Sequence, residues 1–453
     1  GSSWDKYLCD PFQKMETQTV KIIKYSDADF KSALEKIVHR SNTDLASHDD
    51  TVREILNGIR REGDSALLEY TRRFDRYDLT PDRLKVTCEE ISEAYGKVNE
   101  AEIEALKQAA GNIRKYHERQ IQESWEYEEE GVTLGQVIRP LETVGIYVPG
   151  GKASYPSSVL MNAVPAKVAG VETVVMCSPA PDGHWSPHAL VAADLAGVNA
   201  IYKVGGAQAV GAMAYGTRTI PRVDKIVGPG NIYVALAKRL VFGIVDIDMI
   251  AGPSEILIVA DDSARADFIA ADLLSQAEHD EEAVPVLVTP SESLVHAVVE
   301  ELEQQTGQLK RQSIIKESLA GQCRLFVSAS LDEAIDIANR IAPEHLELAV
   351  DDPRASAERI KNAGAIFLGH YTPEAIGDYF AGPNHVLPTS GTARFSSPLG
   401  VYDFIKRTSL ISYTPAALKK AGPPVGVLAE MEHLDAHANA VNLRVREAPD
   451  EGA

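Results

Sequence analysis

The feature that most constrains the fold is an alternation of short apolar runs with amphipathic segments, which begins at Val144. Its first part predicts strands at residues 144–148, 173–177, 201–204 and 225–227, each followed by a helix, at residues 157–169, 188–196, 207–215 and 232–240. Strands that alternate with helices favour a parallel sheet, because parallel neighbours need a crossover connection. This stretch is therefore predicted to form a Rossmann-like unit.

The same alternation is repeated from Glu255. It predicts strands at residues 255–259, 284–288, 323–327 and 365–368, with helices at residues 266–279, 294–304 and 332–341 between them. Since 453 residues are more than one ordinary core needs, we expect several domains. The predicted fold class is α/β, with two tandem, incomplete Rossmann-like parallel-sheet domains and small helical or extended segments at both ends.

These patterns divide the chain into five parts. Residues 1–14 resemble a remnant of an expression vector, with Met15 as the native start. Residues 15–143 are predicted to be a helical region that packs with the second α/β domain. Residues 144–250 form the first Rossmann-like domain, residues 251–390 form the second, and residues 391–453 form a tail that reaches a partner subunit.

The composition argues against several classes of partner. Asp and Glu outnumber Lys and Arg by 66 to 45, so the net charge of −21 gives no electrostatic reason to bind nucleic acid or an anionic membrane. The four cysteines lack CxxC spacing, which fits a reducing compartment. No apolar run is long enough for a membrane span. We expect a cytoplasmic protein that acts on small molecules, or a plastid protein whose transit peptide has been removed.

Three glycine-rich turns follow predicted strands of the first domain, at residues 148–152, 204–208 and 227–231. Glycine lets the backbone approach a ligand closely, and a helix N-terminus favours a phosphate. Their shared position at the carboxyl ends of strands points to one crevice. None of them is GxGxxG, however, and tight connections use glycine for structural reasons too. The turns alone fit either a nucleotide site or simple connections.

The predicted helix at residues 266–279 carries a polar stripe opposite its apolar face. Asp272, Gln276 and His279 follow one another at i, i+4 and i+7. Such a stripe could hold a metal ion, but a solvated face is the simpler interpretation, since glutamine is an uncommon zinc ligand. HExxH does not occur in the chain, so the common metalloprotease motif is missing.

A second candidate, Pro343-Glu344-His345, lies just past a predicted helix. Histidine titrates near neutrality, and an adjacent carboxylate can orient it or activate a water molecule. Glu344 and His345 are therefore candidates for proton transfer, and a helix-capping pair is the structural alternative.

The C-terminal third adds further polar groups, at residues 377–379, 382–385 and 432–437. Aspartate and histidine are good zinc ligands, so Asp378 and one tail histidine could join Gln276 and His279 in a site with a position open for substrate. The tail offers both His433 and His437, and spacing does not choose between them.

Together these segments resemble the histidinol dehydrogenase family. Order, approximate spacing and residue types agree over about residues 20–446, at residues 144–152, 205–208, 228–231, 251–255, 273–279, 343–348, 382–385, 394–399 and 432–437. The resemblance implies an enzyme that uses zinc and two NAD to oxidise L-histidinol to L-histidine through an enzyme-held histidinaldehyde, as the last step of histidine biosynthesis.

The resemblance also implies a role for each matched residue. The implied zinc ligands, one set per subunit, are Gln276, His279, Asp378 and His437. Substrate would be contacted by these four residues and by Ser254, His345, His385 and Glu432. His345 would be the base of both oxidations, and Glu344 would activate the water that attacks the aldehyde. The NAD-binding site would be lined by Tyr147, Gln208 and Asn231.

The family is homodimeric, and its tail crosses to the partner subunit. The resemblance therefore implies that His385, Glu432 and His437 complete the active site of the other subunit. An isolated monomer should then be inactive.

Three other functions compete with this hypothesis. A paralogous zinc and NAD dehydrogenase of another amino or polyol alcohol would keep the same scaffold and metal site. A zinc hydrolase would use Glu344 to activate water but would leave the glycine turns unexplained. A non-catalytic nucleotide-binding module would give no role to the polar cluster.

Overall fold

The structure is a computed structural model that describes residues 20–40, 45–150 and 155–447. Residues 1–14, which resemble a vector remnant, lie outside these ranges. Gly151 and Lys152, the last residues of the first glycine-rich turn, also lie outside them.

Strands and helices alternate along most of the described chain. The strands are β1 (Lys21–Lys24), β2 (Trp125–Glu129), β3 (Val132–Pro140), β4 (Thr143–Tyr147), β5 (Thr173–Cys177), β6 (Ala200–Tyr202), β7 (Lys225–Val227), β8 (Asp246–Ile247), β9 (Glu255–Ala260), β10 (Val284–Thr289), β11 (Arg324–Val327), β12 (His345–Ala349), β13 (Ala365–Leu368) and β14 (Ile405–Tyr413). All strands of the two predicted runs are present, with ends shifted by no more than two residues.

The helices cover the faces of these sheets and form the tail. They are α1 (Phe30–Val38), α2 (Asp49–Glu62), α3 (Asp64–Asp75), α4 (Cys88–Tyr95), α5 (Glu100–His117), α6 (Pro156–Val168), α7 (Pro187–Ala196), α8 (Gly206–Tyr215), α9 (Ile232–Val241), α10 (Ala266–Ala277), α11 (Glu292–Thr306), α12 (Gln312–Gly321), α13 (Leu331–Ile341), α14 (Pro353–Ala357), α15 (Glu374–Tyr379), α16 (Pro415–Met431) and α17 (Asp435–Glu447). Within the described ranges, no helix combines the length and apolar character needed to cross a membrane.

The first parallel sheet has the strand order β6-β5-β4-β7-β8. Numbered within this unit, the order is 3-2-1-4-5, as in a Rossmann-like sheet. The direction of winding reverses between β4 and β7, and a crevice is expected there at the carboxyl ends of the strands. The glycine-rich turns after β4 and β7 lie at this point of the sheet.

The second parallel sheet has the order β1-β11-β10-β9-β12-β13. Strands β9 to β13 repeat the 3-2-1-4-5 order, and β1 adds a sixth strand beside β11. The predicted α/β fold with two tandem Rossmann-like sheets is therefore confirmed. The sequence pattern missed β12, because a histidine and a glutamate interrupt its apolar run.

The second sheet is buried on both faces by alternate residues of its strands. On β9, Ile256 and Ile258 pack against α10, α11 and α12, whereas Leu257 and Val259 pack against α1 and α13. A strand between two helical layers needs apolar side chains on both faces, which explains the unbroken apolar run that follows Glu255.

The N-terminal region is divided between the two sheets. Only β1 and α1 join the second sheet, whereas α2 packs on α8 and α9, and α5 packs on α6 and α7. Most contacts of α2 to α5 are therefore with the helices of the first sheet and not with the second domain as expected, although Asn112 of α5 donates to the oxygen of Phe380 at 2.9 Å. An apolar stripe shows which face of a helix is buried, but it does not show which partner covers that face.

A third, antiparallel sheet has the order β14-β3-β2 and was not predicted. Glu130 and Gly131 join β2 to β3 with φ of 49° and 77°, the left-handed pair that favours a tight hairpin. Most residues of β2 and β14 are exposed. This sheet and the helical pair α16 and α17 form an arm, so the tail is more ordered than its proline and glycine content suggested.

Candidate active site

Glu344 and His345 lie where the chain enters the middle of the second sheet. Helix α13 ends at Ala342, whose φ of 50° is left-handed, and Pro343 cannot continue the helix. The chain therefore turns directly into β12, of which His345 is the first residue. Both side chains are buried. The pair lies at the amino ends of the strands, opposite the edge where Rossmann-like sheets usually bind ligands.

Glu255, the first residue of β9, holds both members of this pair with its main chain. Its N–H donates to Glu344 Oε2 at 2.8 Å, and its carbonyl oxygen lies 2.8 Å from His345 Nδ1. A carbonyl oxygen only accepts, so Nδ1 carries the ring proton and Nε2 is the basic nitrogen of the neutral ring. Nε2 is buried and has no hydrogen-bond partner among the described residues. It is therefore free to accept a proton from a bound molecule.

A group of metal-binding side chains faces this nitrogen. His279, Glu374 and Asp378 can bring one ligand atom each within 4.8 Å of one another. His345 Nε2 lies 3.4 Å from Asp378 Oδ1 and 4.0 Å from Glu374 Oε1. His279 is exposed while Glu374 is buried, so the cluster opens to solvent on the side of His279.

Gln276 provides a further sign of a metal site. It lies in the last turn of α10, three residues before His279, which follows the end of the helix and donates its N–H to the main-chain oxygen of Gln276 at 3.1 Å. Gln276 is fully buried, and neither of its side-chain polar atoms has a hydrogen-bond partner in the described chain. Burying an amide in this way costs about 1–3 kcal/mol. A cation bound by the amide oxygen would reduce this cost, so the residues present fit a metal held by nitrogen and oxygen ligands.

The carboxyl groups of the site have pKa values displaced in opposite directions. Burial raises the pKa of Glu344 to about 8. The charge of His345 opposes this increase, and the charge of Glu255 adds to it. Burial would also raise the pKa of Asp378, but its contact with His345 and the charges of three neighbouring histidines lower it to about 2. At neutral pH Asp378 is thus an anion suited to hold a cation, whereas Glu344 is close to its titration range.

The pKa values of the histidines are also displaced in opposite directions. Loss of contact with water lowers the pKa of His279 and of His385; the ring of His279 is largely enclosed by protein, although the residue is open to solvent on one side. Burial would lower the pKa of His345 too, but the charge of Glu344 and the contact with Asp378 raise it well above its usual value. His279 is therefore neutral near pH 7 and able to coordinate a metal.

His385 belongs to the site of its own chain. Its Nδ1 lies 2.9 Å from the main-chain oxygen of Asp378, and its Nε2 lies 3.4 Å from Ser158 Oγ on α6. The expectation that the partner subunit supplies His385 is therefore corrected. The loop before the arm, anchored by the bond from Asn384 Nδ2 to the oxygen of Met161 at 2.6 Å, instead places His385 between the two sheets.

The other predicted substrate residues are separated. Ser254 immediately precedes Glu255 and lies at the same edge of the second sheet. Glu432 and His437 are exposed at the turn between α16 and α17, which pack on each other, and α16 also contacts β14. Within one chain, the structure brings His279 and Asp378 together and places Gln276 three residues before His279, but it leaves His437 on the arm.

The predicted NAD residues lie at the carboxyl edge of the first sheet. Tyr147 is buried at the end of β4, and its hydroxyl oxygen accepts the N–H of Gly206 at 3.0 Å. Gln208 is also buried, on the first turn of α8. Asn231 caps α9 by accepting from the N–H groups of Tyr233 and Val234. These side chains therefore stabilise the two turns and project little into the crevice.

A buried ion pair supports the turn after β7. Asp248 pairs with Lys238, and both side chains are almost completely buried. Asp248 Oδ2 accepts the N–H of Gly228 at 2.8 Å, and Lys238 Nζ donates to the oxygen of Gly228 at 3.0 Å. This ion pair fixes the glycine that approaches Tyr147 in the crevice.

Sequence reasoning missed three residues that shape this site. Glu374 lies one helical turn before Asp378 on α15, and this i, i+4 spacing was a usable signal. Glu255 is a charged residue at the start of a buried strand, which is unusual enough to be noticed. Arg40, whose guanidinium pairs with Glu255, has no local signal because its partner lies 215 residues further along the chain.

Comparisons with known proteins show the family of the chain. The family model of histidinol dehydrogenase matches residues 38–445. The chain belongs to the histidinol dehydrogenase family. The histidinol dehydrogenase of Syntrophotalea carbinolica is 55% identical over 430 residues, covering 95% of this chain and 100% of the relative. That of Geobacter sulfurreducens is 54% identical over 429 residues, covering 94% and 100%.

Family membership extends to the fold. The crystal structure of histidinol dehydrogenase from Elizabethkingia anophelis matches with a TM-score of 0.89 at 38% identity, covering 94% of this chain and 98% of that chain. The predicted family is confirmed, and the protein is an oxidoreductase of the dehydrogenase type.

Proposed function

We propose that this protein oxidises L-histidinol to L-histidine in two NAD-dependent steps, with one zinc ion per subunit, as the last reaction of histidine biosynthesis. The substrate is that named for its relatives in the family. One observation carries the proposal: the metal-binding group of His279, Glu374 and Asp378 lies beside the buried pair Glu344 and His345, and the buried, unpartnered amide of Gln276 lies three residues before His279.

Zinc would be held by Gln276, His279 and Asp378 of one subunit, with His437 supplied by a partner subunit. When bound, the ion would supply a Lewis acid that could hold nitrogen ligands of the substrate and so keep the alcohol within reach of a base. A neutral imidazole, an ionised carboxylate and an amide oxygen are acceptable ligands for this purpose. The lowered pKa values of His279 and Asp378 favour the required protonation states.

His345 acts as the base of both oxidations in its neutral form, and the neighbouring carboxylates that raise its pKa make that form a strong proton acceptor. Its Nδ1 is occupied by the carbonyl oxygen of Glu255, so Nε2 takes the proton from the alcohol while the hydride of the same carbon passes to NAD. The strand β12 keeps the ring in place between the two steps, because its main chain is paired on both sides.

Glu344 prepares the water molecule that converts the aldehyde into its hydrate. Its Oε2 is oriented by the N–H of Glu255, and its pKa of about 8 makes it a stronger base than an ordinary carboxylate. The hydrate is then oxidised by the second NAD, with His345 again removing the proton. Because Glu344 and His345 are buried, the side of the aldehyde that faces them would be shielded from competing reactions.

NAD would bind at the carboxyl edge of the first sheet, near Tyr147, Gln208 and Asn231. The positive N-terminal ends of α8 and α9, beside the crevice between β4 and β7, would favour its phosphates. The loop of His385, which contacts Ser158 on α6, connects this crevice to the cluster on the second sheet. NAD and substrate would therefore meet between the two sheets.

The active unit would be a homodimer with shared sites. The arm exposes large apolar side chains, including Trp125, Ile411, Val427, Leu428 and Met431. Exposed patches of this kind mark interaction surfaces. Docking of the arm on a second copy would cover them and would carry Glu432 and His437 to that copy's cluster.

The substrate assignment is tested by NADH formation with L-histidinol and with other amino and polyol alcohols under the same conditions. The proposal expects kcat/KM to be highest for L-histidinol, because zinc and the site would recognise its imidazole and amino group. Faster turnover of another alcohol would favour the paralogous dehydrogenase. Hydrolysis of an amide or ester without NAD would favour the zinc hydrolase.

A further inference from the structure

Arg40 reaches from the end of α1 into the second sheet. Its side chain is only 8% exposed. The guanidinium forms a two-pronged pair with Glu255, with Nε to Oε1 and Nη2 to Oε2 both at 2.6 Å. Such bidentate pairs fix orientation as well as charge.

The partner of Arg40 is the residue that organises the catalytic pair. Besides its main-chain bonds to Glu344 and His345, Glu255 accepts the N–H of Ser390 at 2.8 Å and that of Glu344 at 3.4 Å on its carboxylate. The carboxyl groups of Glu255 and Glu344 are thus neighbours in a buried region, and Arg40 supplies the compensating positive charge.

Arg40 also holds the segment that leads into Glu344. Its Nη1 donates to the oxygen of Ile341 at 3.0 Å, and its Nη2 approaches the oxygen of Ala342 at 3.5 Å. These carbonyls belong to the end of α13, where a cation is electrostatically favourable. Arg40 therefore anchors both neighbours of Glu344, the strand that binds its carboxylate and the turn that precedes it.

We infer that Arg40 is a positioning residue for Glu344 and acts through Glu255. This inference rests on the role proposed above for Glu344 in hydration of the aldehyde. Without Arg40, Glu255 would be a buried anion with no cation, and such a group protonates or draws in water and shifts. Glu344 would lose its alignment with the water molecule. His345 depends on the main-chain oxygen of Glu255 and on the strand pairing of β12, which do not require the guanidinium.

The test compares the two oxidations in Arg40→Met and in a matched control, Arg340→Met. Arg340 pairs with Glu35 and so also joins α13 to α1, but it is 48% exposed and makes no contact with Glu255 among the described residues. Zinc-loaded enzymes are assayed for oxidation of L-histidinol and of L-histidinaldehyde, and free aldehyde is trapped with semicarbazide. Melting temperature and zinc content are measured on the same samples.

We expect Arg40→Met to lower kcat for aldehyde oxidation by on the order of tenfold or more, as small misplacements of catalytic groups do. KM and the alcohol oxidation should change little, and trapped aldehyde should increase. The rise of aldehyde oxidation with pH should also move to higher pH. Arg340→Met should behave as the wild type.

An equal loss of both oxidations in folded Arg40→Met, or no loss, would overturn the positioning role. If Arg40→Met does not fold, Arg40→Lys replaces it, since lysine keeps the charge but not the two-pronged geometry. If Arg40→Lys keeps the wild-type ratio of alcohol oxidation to aldehyde oxidation, the positioning role of Arg40 is also refuted. If the wild type itself does not oxidise L-histidinol, the proposed function is refuted. The inference on Arg40 then loses its premise. A working wild type with an unaltered Arg40→Met refutes the inference alone.

Discussion

The polar stripe of α10 contains one residue whose environment is unusual for its type. Gln276 is completely buried with two unpartnered polar atoms, whereas Gln305 on the neighbouring α11 donates to the oxygen of Asp267 and to Glu301. A buried amide without a hydrogen-bond partner destabilises the fold. The contrast with Gln305 therefore supports the proposed role of Gln276 as a metal ligand.

Replacing Gln276 by leucine should therefore have two effects of opposite sign. In chelated enzyme the variant should be more stable than the wild type by about 1–3 kcal/mol, because an unsatisfied amide is removed from the core. Its zinc affinity should fall by on the order of tenfold or more. Denaturant unfolding and zinc titration measure the two effects. The control Gln305→Leu should lose stability and keep zinc affinity, and unchanged zinc affinity in Gln276→Leu would contradict the ligand role.

The pKa of Glu344 predicts how aldehyde oxidation depends on pH. With a pKa of about 8, the carboxyl group is mostly protonated at pH 6 to 7 and gains its basic form as the pH rises through 8. The rate of aldehyde oxidation should increase over this range and then level off. Glu344→Gln should remove the increase and slow this step more than the alcohol step. A rate independent of pH between 6 and 9 in the wild type would argue against Glu344 as the base.

At the scale of elements, residues of the candidate site could be chosen from the sequence, but their placement could not. The polar stripe of α10 and the pair Glu344 and His345 were recognised because their spacing is local. The strand β12 was missed, since a functional histidine and a buried glutamate disrupt its apolar pattern. Pairing of β3 with β14 joins segments more than 260 residues apart, and periodicity carries no information on such contacts.

The glycine turn after β7 should be the most sensitive element of the nucleotide crevice. Gly228 has φ of 109°, and an added Cβ would lie 2.1 Å from the main-chain oxygen of Tyr147. Gly228→Ala should lower the affinity for NADH by on the order of tenfold, because β4 and β7 must separate. Gly243→Ala is the matched control, since its φ of 96° is equally unfavourable but no atom lies within 4 Å. Equal NADH affinities in the two variants would contradict the placement of NAD in this crevice.

At the scale of the whole molecule, the proposed site draws on both parallel sheets, whereas Glu432 and His437 lie on the arm. The alternation of strands and helices was sufficient to predict the two parallel sheets, but not their strands β1, β8 and β12 or the antiparallel sheet. It could not show that the catalytic pair uses the amino edge of the second sheet, because pattern does not reveal which edge faces the neighbouring domain. The family resemblance assigned His437 to the zinc site, and the exposure of His437 within one chain leaves that assignment to a partner subunit.

Mixing two inactive variants tests whether sites are shared. His345→Asn removes the base, and His437→Asn removes the ligand expected from the arm. If the sites are shared, a heterodimer of these variants contains one intact site, and random exchange of subunits should recover about a quarter of the wild-type activity. Activity is measured after unfolding and refolding the variants together, with each variant refolded alone as the control. Failure to recover activity in proven heterodimers would contradict shared sites.

The central claim is a two-step oxidation on one zinc-dependent enzyme, and its most direct test counts NADH per L-histidinol consumed. The measurement follows NADH absorbance to completion with limiting L-histidinol, before and after treatment with a chelator. The proposed mechanism predicts about two NADH per histidinol, loss of turnover on chelation and recovery with zinc. One NADH per histidinol with release of the aldehyde, or full activity in enzyme shown to contain no metal, would contradict it.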